Sequence, residues 1–458
     1  MSCTAVVTSP LQIPAIASNI VRLYQTNECP PIFGTPLCDL QHALALDEQE
    51  TRMYRRVLHP IRRLPDLVLV EIFKHHMGTI DHRPPWTLSQ VCYKWRQVSL
   101  SRSSFWSNIN LSMTYVIRET RRPHLLLDRL RDQLQKSKNH ALSVSLSLQT
   151  SIPTQQEWSP VLKTICAASG RWETLKLAAD VENLRFLHST MNGTPNFPSL
   201  RSLNLMLLGH SHPVAANSDL SLFENAPRLH DLTVMVDIYG DASSLGIPFT
   251  QITRARVYHV SKGTLSLLKS MSNLEILHVD RVSLRNTSDI DLISLPSLHT
   301  LSITSGTESS LAAFLDYLQV PNLHSLKVGV GAESIMGAFL TRCRKLRSLA
   351  LKANETDDFE WLLESLPKEI NSLSLFSATG RAVCALSRRQ GKLAELRLFS
   401  RRIEDSTLIE AVESLGLRQL WLHDSSADQA ANRIREMDVE VHQRESWWSD
   451  FLSTHTPT

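Results

Sequence analysis

The sequence predicts an α/β chain in two parts, a short helical domain near its start and a long solenoid with a parallel sheet behind it. Two features of the chain indicate this. Large apolar residues are concentrated between residues 61 and 110, and a short apolar phrase then returns every 22 to 29 residues. The 42% hydrophobic and 20% charged content is that of an ordinary globular protein, so these patterns describe packed structure.

The apolar residues between 61 and 110 have helical spacing. Leu64-Pro65 opens a first helix, because proline is tolerated in the first turn, and Leu69, Ile72 and Phe73 follow on one face. A second helix is predicted over 87–99, with a stripe of Leu88, Val91, Cys92, Trp95 and Val98, and Phe105, Trp106 and Ile109 form a third short stretch. A segment this short cannot bury all these side chains within itself.

Four sequence blocks of this segment resemble an F-box, in the variant common in mushroom-type fungal proteins. They are PIRRLP (60–65), EIF (71–73), LSQVCYKWRQV (88–98) and FWSNI (105–109). The chain departs from the family at Leu67, where members often carry glutamate, and at Ser104, near which they often carry proline. On the apolar stripes alone, a helical hairpin buried inside a larger domain is the alternative.

F-boxes dock on the Skp-type adaptor of cullin-based ubiquitin ligases, and that docking would occupy the apolar surface that the segment cannot bury. The resemblance therefore implies an adaptor-binding surface. The residues expected to form it are Leu64, Pro65, Leu69, Ile72, Phe73, Val91, Cys92, Trp95 and Trp106.

The repeated phrase is apolar, two variable residues, apolar, one variable residue, apolar. Its first apolar residue recurs from Trp172 to Leu417. The period and the phrase resemble leucine-rich repeats, in which each unit is a strand, a turn and a return segment. The clearest copies are PSLRSLNL (198–205), PRLHDLTV (227–234), SNLEILHV (272–279), PSLHTLSI (296–303), PNLHSLKV (321–328), RKLRSLAL (344–351), KEINSLSL (368–375), GKLAELRL (391–398) and LGLRQLWL (415–422), with weaker ones at 170–177 and 250–257.

The resemblance implies a curved parallel sheet with helices or irregular returns on the convex side. Segments 309–319 and 357–366 look like helical returns. The asparagine that usually follows each strand in this family is present only as Asn354. We therefore expect an irregular arc, in which other side chains or water satisfy the backbone groups of the turns.

The predicted organisation has six segments, two of which leave alternatives open. A helix over 39–58 props the F-box or pairs with a second copy as a coiled coil. The tail with Trp447, Trp448 and Phe451 caps the solenoid or anchors a partner. The segments are a disordered 1–38, a leading helix over 39–60, the F-box over 61–110, a connector over 111–140 with a helix at 124–137, the solenoid over 141–442 opening on a strand at 141–149, and a tail over 443–458.

The sequence carries none of the standard catalytic or metal-binding signatures. The sequence has no G-x-S-x-G turn, phosphate loop, dinucleotide-binding turn or H-E-x-x-H helix, and its histidines match no standard zinc spacing. We therefore expect no catalysis and no cofactor. A net charge of +3 indicates no nucleic-acid partner, and the lack of an 18-residue apolar run indicates no membrane span. Seven scattered cysteines suggest reduced thiols, in the cytoplasm or nucleus.

The best candidates for a target-binding surface lie in the repeats. In each strand, the residues between the buried ones point out to the concave face. Arginine and aromatic residues there are typical of binding surfaces, although a solvated sheet face is the alternative for each one. The candidates are Arg254, Arg256, Tyr258, His278, Asp280, Glu395, Arg397, Phe399 and Trp421.

These observations lead to one functional hypothesis and one rival. The chain is expected to be the substrate-recognition subunit of a Skp–cullin–F-box ubiquitin ligase, with the adaptor, a cullin and an unidentified target protein as partners. The rival is a non-degradative F-box and repeat protein that binds its partner outside a cullin ligase.

Overall fold

A computed structural model describes most of the chain beyond residue 63. The chain divides into two compact units, Met1–Ser112 with Ile117–Ser145, and Met113–Val116 with Leu146–Thr458. The predicted disordered segment over 1–38, the helix over 39–60 and the tail after residue 443 lie outside the described residues. Those residues are 64–79, 85–114, 123–149, 152–191, 195–207, 221–235, 245–284, 292–329, 333–352, 357–389, 391–399, 403–422 and 428–443.

The first unit is mainly helical. The helix predicted over 124–137 is present, and so is the strand predicted over 141–149, whose alternate residues are buried. The boundary between the two units falls inside that strand. The elements are α1 (Asp66–Thr79), α2 (Trp86–Ser89), α3 (Tyr93–Ser101), a 3-10 turn (Ser103–Trp106), β1 (Asn108–Thr114), α4 (Pro123–Lys136) and β2 (Leu142–Gln149).

The prediction of one continuous helix over 87–99 is wrong. The chain forms α2 and α3 instead, because Cys92 has an extended backbone with φ −160° and ψ 172°. The break is stabilised by Arg96, whose Nε donates to the carbonyl oxygen of Ser89 at 3.0 Å. Val91 consequently lies in a turn and leaves the apolar stripe that a continuous helix would have given it.

The second unit is a succession of strands and return segments. Helices form the returns after many of the strands, including those predicted at 309–319 and 357–366. The strands are β3 (Trp172–Ala179), β4 (Ser202–Leu207), β5 (Asp231–Met235), β6 (Arg254–Val260), β7 (Ile276–Val282), β8 (Ile293–Ser294), β9 (Thr300–Gly306), β10 (Leu318–Gln319), β11 (Ser325–Val328), β12 (Ser348–Lys352), β13 (Ser372–Phe376), β14 (Glu395–Phe399), β15 (Gln419–Leu422) and β16 (Glu440–Gln443). The helices are α5 (Ile152–Cys166), α6 (Val181–Thr190), α7 (Lys262–Ser270), α8 (Glu308–Tyr317), α9 (Glu333–Arg342), α10 (Asp357–Glu364), α11 (Gly380–Ser387), α12 (Asp405–Leu415) and α13 (Asp428–Arg435).

The sheet of this unit is a parallel ladder in chain order. Its order is β3-β4-β5-β6-β7-β9-β11-β12-β13-β14-β15-β16, and β8 and β10 form a separate parallel pair. All eleven copies of the phrase form strands of this ladder, as predicted. The same position of each copy meets its equivalent on the next strand, as Leu326 meets Leu301 and Leu349. These leucines are buried, so the ladder is the core of the unit.

Side chains other than asparagine cap the helices that follow several strands, as predicted. Directly after β3, Asp180 accepts a hydrogen bond from the backbone N–H of Asn183 at 2.7 Å. Thr307 and Thr379 cap α8 and α11 in the same way, and Ser261 forms a reciprocal capping box with α7. These caps satisfy backbone donors at the helix starts.

Candidate functional site

One side of α1 builds the core of the first unit. Leu69 and Phe73 are both 0% exposed and lie four residues apart, so they share a helix face. The Phe73 ring meets the Trp95 ring edge-on, with centroids 4.9 Å apart, and lies 6.1 Å from the Phe105 ring. Leu64 and Trp95 are partly buried against the same cluster. These predicted site residues therefore pack in or against the core of the first unit.

Trp106 is the centre of that core. It is 0% exposed, and its Nε1 donates to the carbonyl oxygen of Ser99 at 2.8 Å. Its ring meets the edge of Trp86 at 4.7 Å, and the Lys136 ammonium lies 4.4 Å from both ring centroids. Leu69, Phe73 and Trp106 are thus enclosed and present no surface to a partner. The partly buried Cys92 lies at the start of α3.

The opposite side of α1 also carries apolar residues, and they face solvent among polar and charged ones. Leu67 is 71% exposed, Val68 42% and Ile72 37%, and Val91 in the turn before α3 is 58% exposed. Pro65 is exposed as well, directly before α1. Leu67 and Val68 were not among the predicted site residues. The signal that could have found them is a helix with apolar residues around most of its circumference.

On the sheet of the second unit, the five earlier candidates form one group on β6 and β7. Arg256 donates to both carboxylate oxygens of Asp280, with Nη2 3.1 Å from Oδ2 and 3.2 Å from Oδ1. Its guanidinium also lies 4.8 Å from the centroid of the Tyr258 ring. Arg254 lies 3.6 Å from Asp231 on β5. These charges are held in fixed pairs on the sheet face.

His278 lies beside Arg256 in the same ladder. Its Nδ1 is buried and has no hydrogen-bond partner among the described residues. Burial lowers the pKa of His278 from 6.5 to about 4, and the charges of Arg256 and Lys327 act in the same direction, while Asp280 opposes them. The imidazole is therefore neutral at pH 7.

The later candidates form a second group, on β14 and β15. Arg397 pairs with Glu395 through Nη2 and Oε1 at 2.6 Å and lies 5.4 Å from the Trp421 ring centroid. Phe399 stacks on Phe376, with ring centroids 4.3 Å apart. This group is an aromatic surface with one arginine in it.

Phe376 and His442 belong to the later group, and the prediction missed them. His442 stacks on Trp421 with ring centroids 3.8 Å apart and lies in register with it on the next strand. Phe376 likewise lies in register with Phe399. Aligning the repeats residue by residue would have paired each of them with its neighbour.

The two groups lie apart on the sheet. Five strand steps separate His278 on β7 from Arg397 on β14, which is about 24 Å at the usual strand spacing. Small residues occupy much of the sheet face between them, such as Ser302, Ala350 and Ser374 in the central row. The candidates predicted from the sequence therefore fall on two separate surfaces of the sheet.

Two cysteines of the described part of the chain are buried. Burial raises the pKa of Cys166 to about 12 and that of Cys343 to about 11, so neither thiol is ionised at neutral pH. No group of three or more histidine, cysteine or acidic side chains is placed to hold a metal ion within those residues. None of the helices described is long and apolar enough to cross a membrane.

The strand ladder and its repeat define the second unit as a solenoid of the leucine-rich-repeat type. No protein-family model and no curated protein matches the sequence. Among solved structures, the chain is similar to an internalin from Listeria monocytogenes. The identity is 13%, over 82% of this chain and 94% of that one, with a TM-score of 0.30. The fold assignment rests on the chain's own ladder.

Proposed function

We propose that this chain is the substrate-recognition subunit of a Skp–cullin–F-box ubiquitin ligase. The observation that supports it is the second apolar side of α1. Leu67, Val68 and Ile72 face solvent, while Leu69 and Phe73 on the other side complete the core. Apolar residues grouped on a surface in this way are typical of protein-binding sites. The F-box resemblance supplies the partner, a Skp-type adaptor.

Docking on the adaptor would remove this apolar surface from water. Burying apolar area contributes about 25 cal/mol per Å². Leu67, with most of its side chain exposed, has the most to contribute. Val91 adds an exposed branched side chain from the turn before α3. The core residues then act indirectly, because they hold α1 and α3 in position.

The solenoid would select the target, and we propose the later group of the sheet face as its contact surface. Arg397, Trp421 and Phe399 combine a cation with two aromatic rings, the residue types that carry most binding energy at protein interfaces. The chain itself performs no chemistry in this proposal. It accelerates ubiquitin transfer by holding the target near the transfer machinery.

A pull-down with mass spectrometry tests the proposal. The wild-type chain is compared with a Leu67→Asp/Val91→Asp variant, which places charges on the exposed side without touching the core. The matched control is Leu125→Asp, because Leu125 is 44% exposed on α4. We expect the wild type and the control to recover adaptor and cullin, and the double variant to recover neither.

Two other results would change the assignment. Recovery of the adaptor without a cullin would favour the non-degradative binding protein. Equal recovery of the adaptor by the double variant would contradict docking through this side of α1. Circular dichroism of all three proteins must show the same folded state, so that a loss of binding is not a loss of structure.

A further inference from the structure

A group of basic residues lines one edge of the solenoid sheet, in the turns that lead into β12, β13, β14 and β15. We call it the basic edge. All six side chains are exposed. It consists of Arg344, Lys345, Arg347, Lys368, Lys392 and Arg418.

Backbone hydrogen bonds place these turns side by side. The carbonyl oxygen of Arg347 accepts from the N–H of Asn371, that of Asn371 accepts from Ala394, and that of Ala394 accepts from Arg418, at 2.8 to 3.0 Å. These four residues are the same position of four successive repeats. The turns that carry the basic edge therefore follow one another across neighbouring strands and span about 14 Å, because strands lie about 4.8 Å apart.

The lysines of the basic edge lie on neighbouring repeats. The Lys345 ammonium donates to Oδ1 of Asn322 at 2.7 Å. A side chain at Gly391 would meet Lys368 at 3.6 Å, and one at Gly416 would meet the Lys392 stem at 3.6 to 3.9 Å. These distances are ordinary van der Waals contact, so the stems of Lys368 and Lys392 lie beside the glycines of the next repeat.

A buried arginine fixes the turn that carries Lys368. Arg389 is 5% exposed, and its Nη2 donates to the carbonyl oxygens of Pro367 at 2.6 Å and Ile370 at 3.0 Å. These two carbonyl groups lie on either side of Lys368 and Glu369. Arg389 is therefore a positioning residue for this part of the basic edge.

The charge of the basic edge is not balanced locally. Within the described part of the chain, no ion pair joins a residue of the basic edge to a carboxylate. Of the described residues in the turns that lead into β12, β13, β14 and β15, Glu369 is acidic. Nearby arginines that lie on the return helices do have partners. Arg342 lies 3.4 Å from Asp316, and Arg388 lies 3.1 Å from Glu364. The whole chain carries 48 basic and 45 acidic residues, so the excess is a local property of this edge.

We propose that the basic edge binds an acidic segment of a target protein, a statement that rests on the proposed function. A span of about 14 Å matches four or five residues of an extended peptide at about 3.3 Å each. Six cations over that span favour an opposing segment rich in aspartate and glutamate. A protein is favoured over single-stranded nucleic acid, because none of the six residues is aromatic and base stacking needs such side chains.

Fluorescence anisotropy with a labelled (Glu-Gly)5 peptide, at about 50 mM salt where screening is weak, tests this proposal. The variant is Arg347→Glu/Lys392→Glu/Arg418→Glu. The control is Lys176→Glu/Arg185→Glu/Arg433→Glu, which changes the net charge equally at exposed positions elsewhere in the second unit. We expect affinity to fall roughly tenfold or more in the variant and less than about twofold in the control. A (Gln-Gly)5 peptide should not bind the wild type.

Equal losses in both variants, or no loss in either, would overturn the proposal. Tighter binding of a 20-nucleotide single-stranded DNA than of the acidic peptide would also overturn it and would indicate a nucleic-acid surface. Capture of a purified Skp-type adaptor is measured on the same proteins and should not change in either variant. If even the wild type fails to capture the adaptor, the proposed function fails, while the peptide result still decides the role of the basic edge.

Discussion

The two units use apolar side chains in different ways. In the solenoid ladder, residues such as Leu301, Leu326 and Leu349 are essentially unexposed, and half-buried residues alternate with them. In α1, apolar residues occupy both the buried side and the solvent side. Stacking accounts for the buried leucines of the ladder, because each repeat covers the next one. Packing within the first unit leaves the side chains of Leu67 and Ile72 exposed.

This difference separates folding from binding. Within the ladder, the apolar residues at the inward positions of each strand indicate only that the chain packs there. On α1, the same residue type is found both in the core and in contact with solvent, and only the structure distinguishes the two. The docking surface that we propose for the first unit consists of apolar residues that the core does not use.

Two leucines of α1, which lie two residues apart, test the difference between its buried and its solvent side. We expect Leu69→Ala to lower the free energy of unfolding by about 2–5 kcal/mol, because it leaves a cavity beside Phe73. Leu67→Ala should change it by less than about 0.5 kcal/mol, since the side chain already faces water. Urea denaturation followed by tryptophan fluorescence measures both. Equal losses would show that the two sides of α1 are not distinct.

In the solenoid, the half-buried His278 should make the free energy of unfolding depend on pH. The native pKa of His278 is about 4, below its ordinary 6.5, so between these values the unfolded chain binds the proton and the native chain does not. Stability from this residue is fully present above pH 6.5 and falls as the pH drops toward 4. Between pH 7.5 and 4.5, wild type should lose about 1–3 kcal/mol relative to His278→Gln. A constant difference would contradict this.

We expect a smaller loss of stability when a helix cap is removed. These caps are the side chains that we interpret as replacing the asparagines of leucine-rich repeats. Thr307→Ala removes the acceptor for the N–H of Ser310 at the start of α8. We expect a loss of about 0.5–2 kcal/mol in the free energy of unfolding, and the same for Asp180→Ala. Thermal denaturation of both variants measures this, with Ser406→Ala as the control, because Ser406 is exposed on α12, whose N-cap makes no side-chain hydrogen bond. If the control loses as much, the caps do not stabilise these turns.

The solenoid could be predicted almost residue by residue. The repeat step and the alternation in each copy identify the buried positions, as at Leu373 and Leu375. The helical unit could not be predicted to that depth. Gln90, Val91 and Cys92 suit a helix by type, and packing of the two flanking helices decides that the chain turns there. Periodicity on α1 also does not indicate which of two apolar sides packs inward.

On the sheet face, the sequence predicts which residues point outward but does not predict the contacts between them. The outward positions follow from strand alternation, so Arg256 and Trp421 could be placed correctly. Their partners lie on the next strands, more than 20 residues away, as Asp280 and His442 do. Only the register between repeats brings such pairs together, and that register must be aligned before a contact can be predicted.

The central claim is that the solvent side of α1 binds a Skp-type adaptor while the other side folds the unit. Isothermal titration of purified adaptor into the full chain tests it most directly, with wild type, Leu67→Asp and Leu125→Asp measured side by side. Leu67 is 71% exposed in the first turn of α1, where an acidic residue is tolerated. We predict that Leu67→Asp weakens binding at least tenfold while its free energy of unfolding stays within about 0.5 kcal/mol of wild type. Leu125→Asp should bind as wild type does. Unchanged affinity in Leu67→Asp, or no adaptor binding by the folded wild-type chain, would contradict the claim.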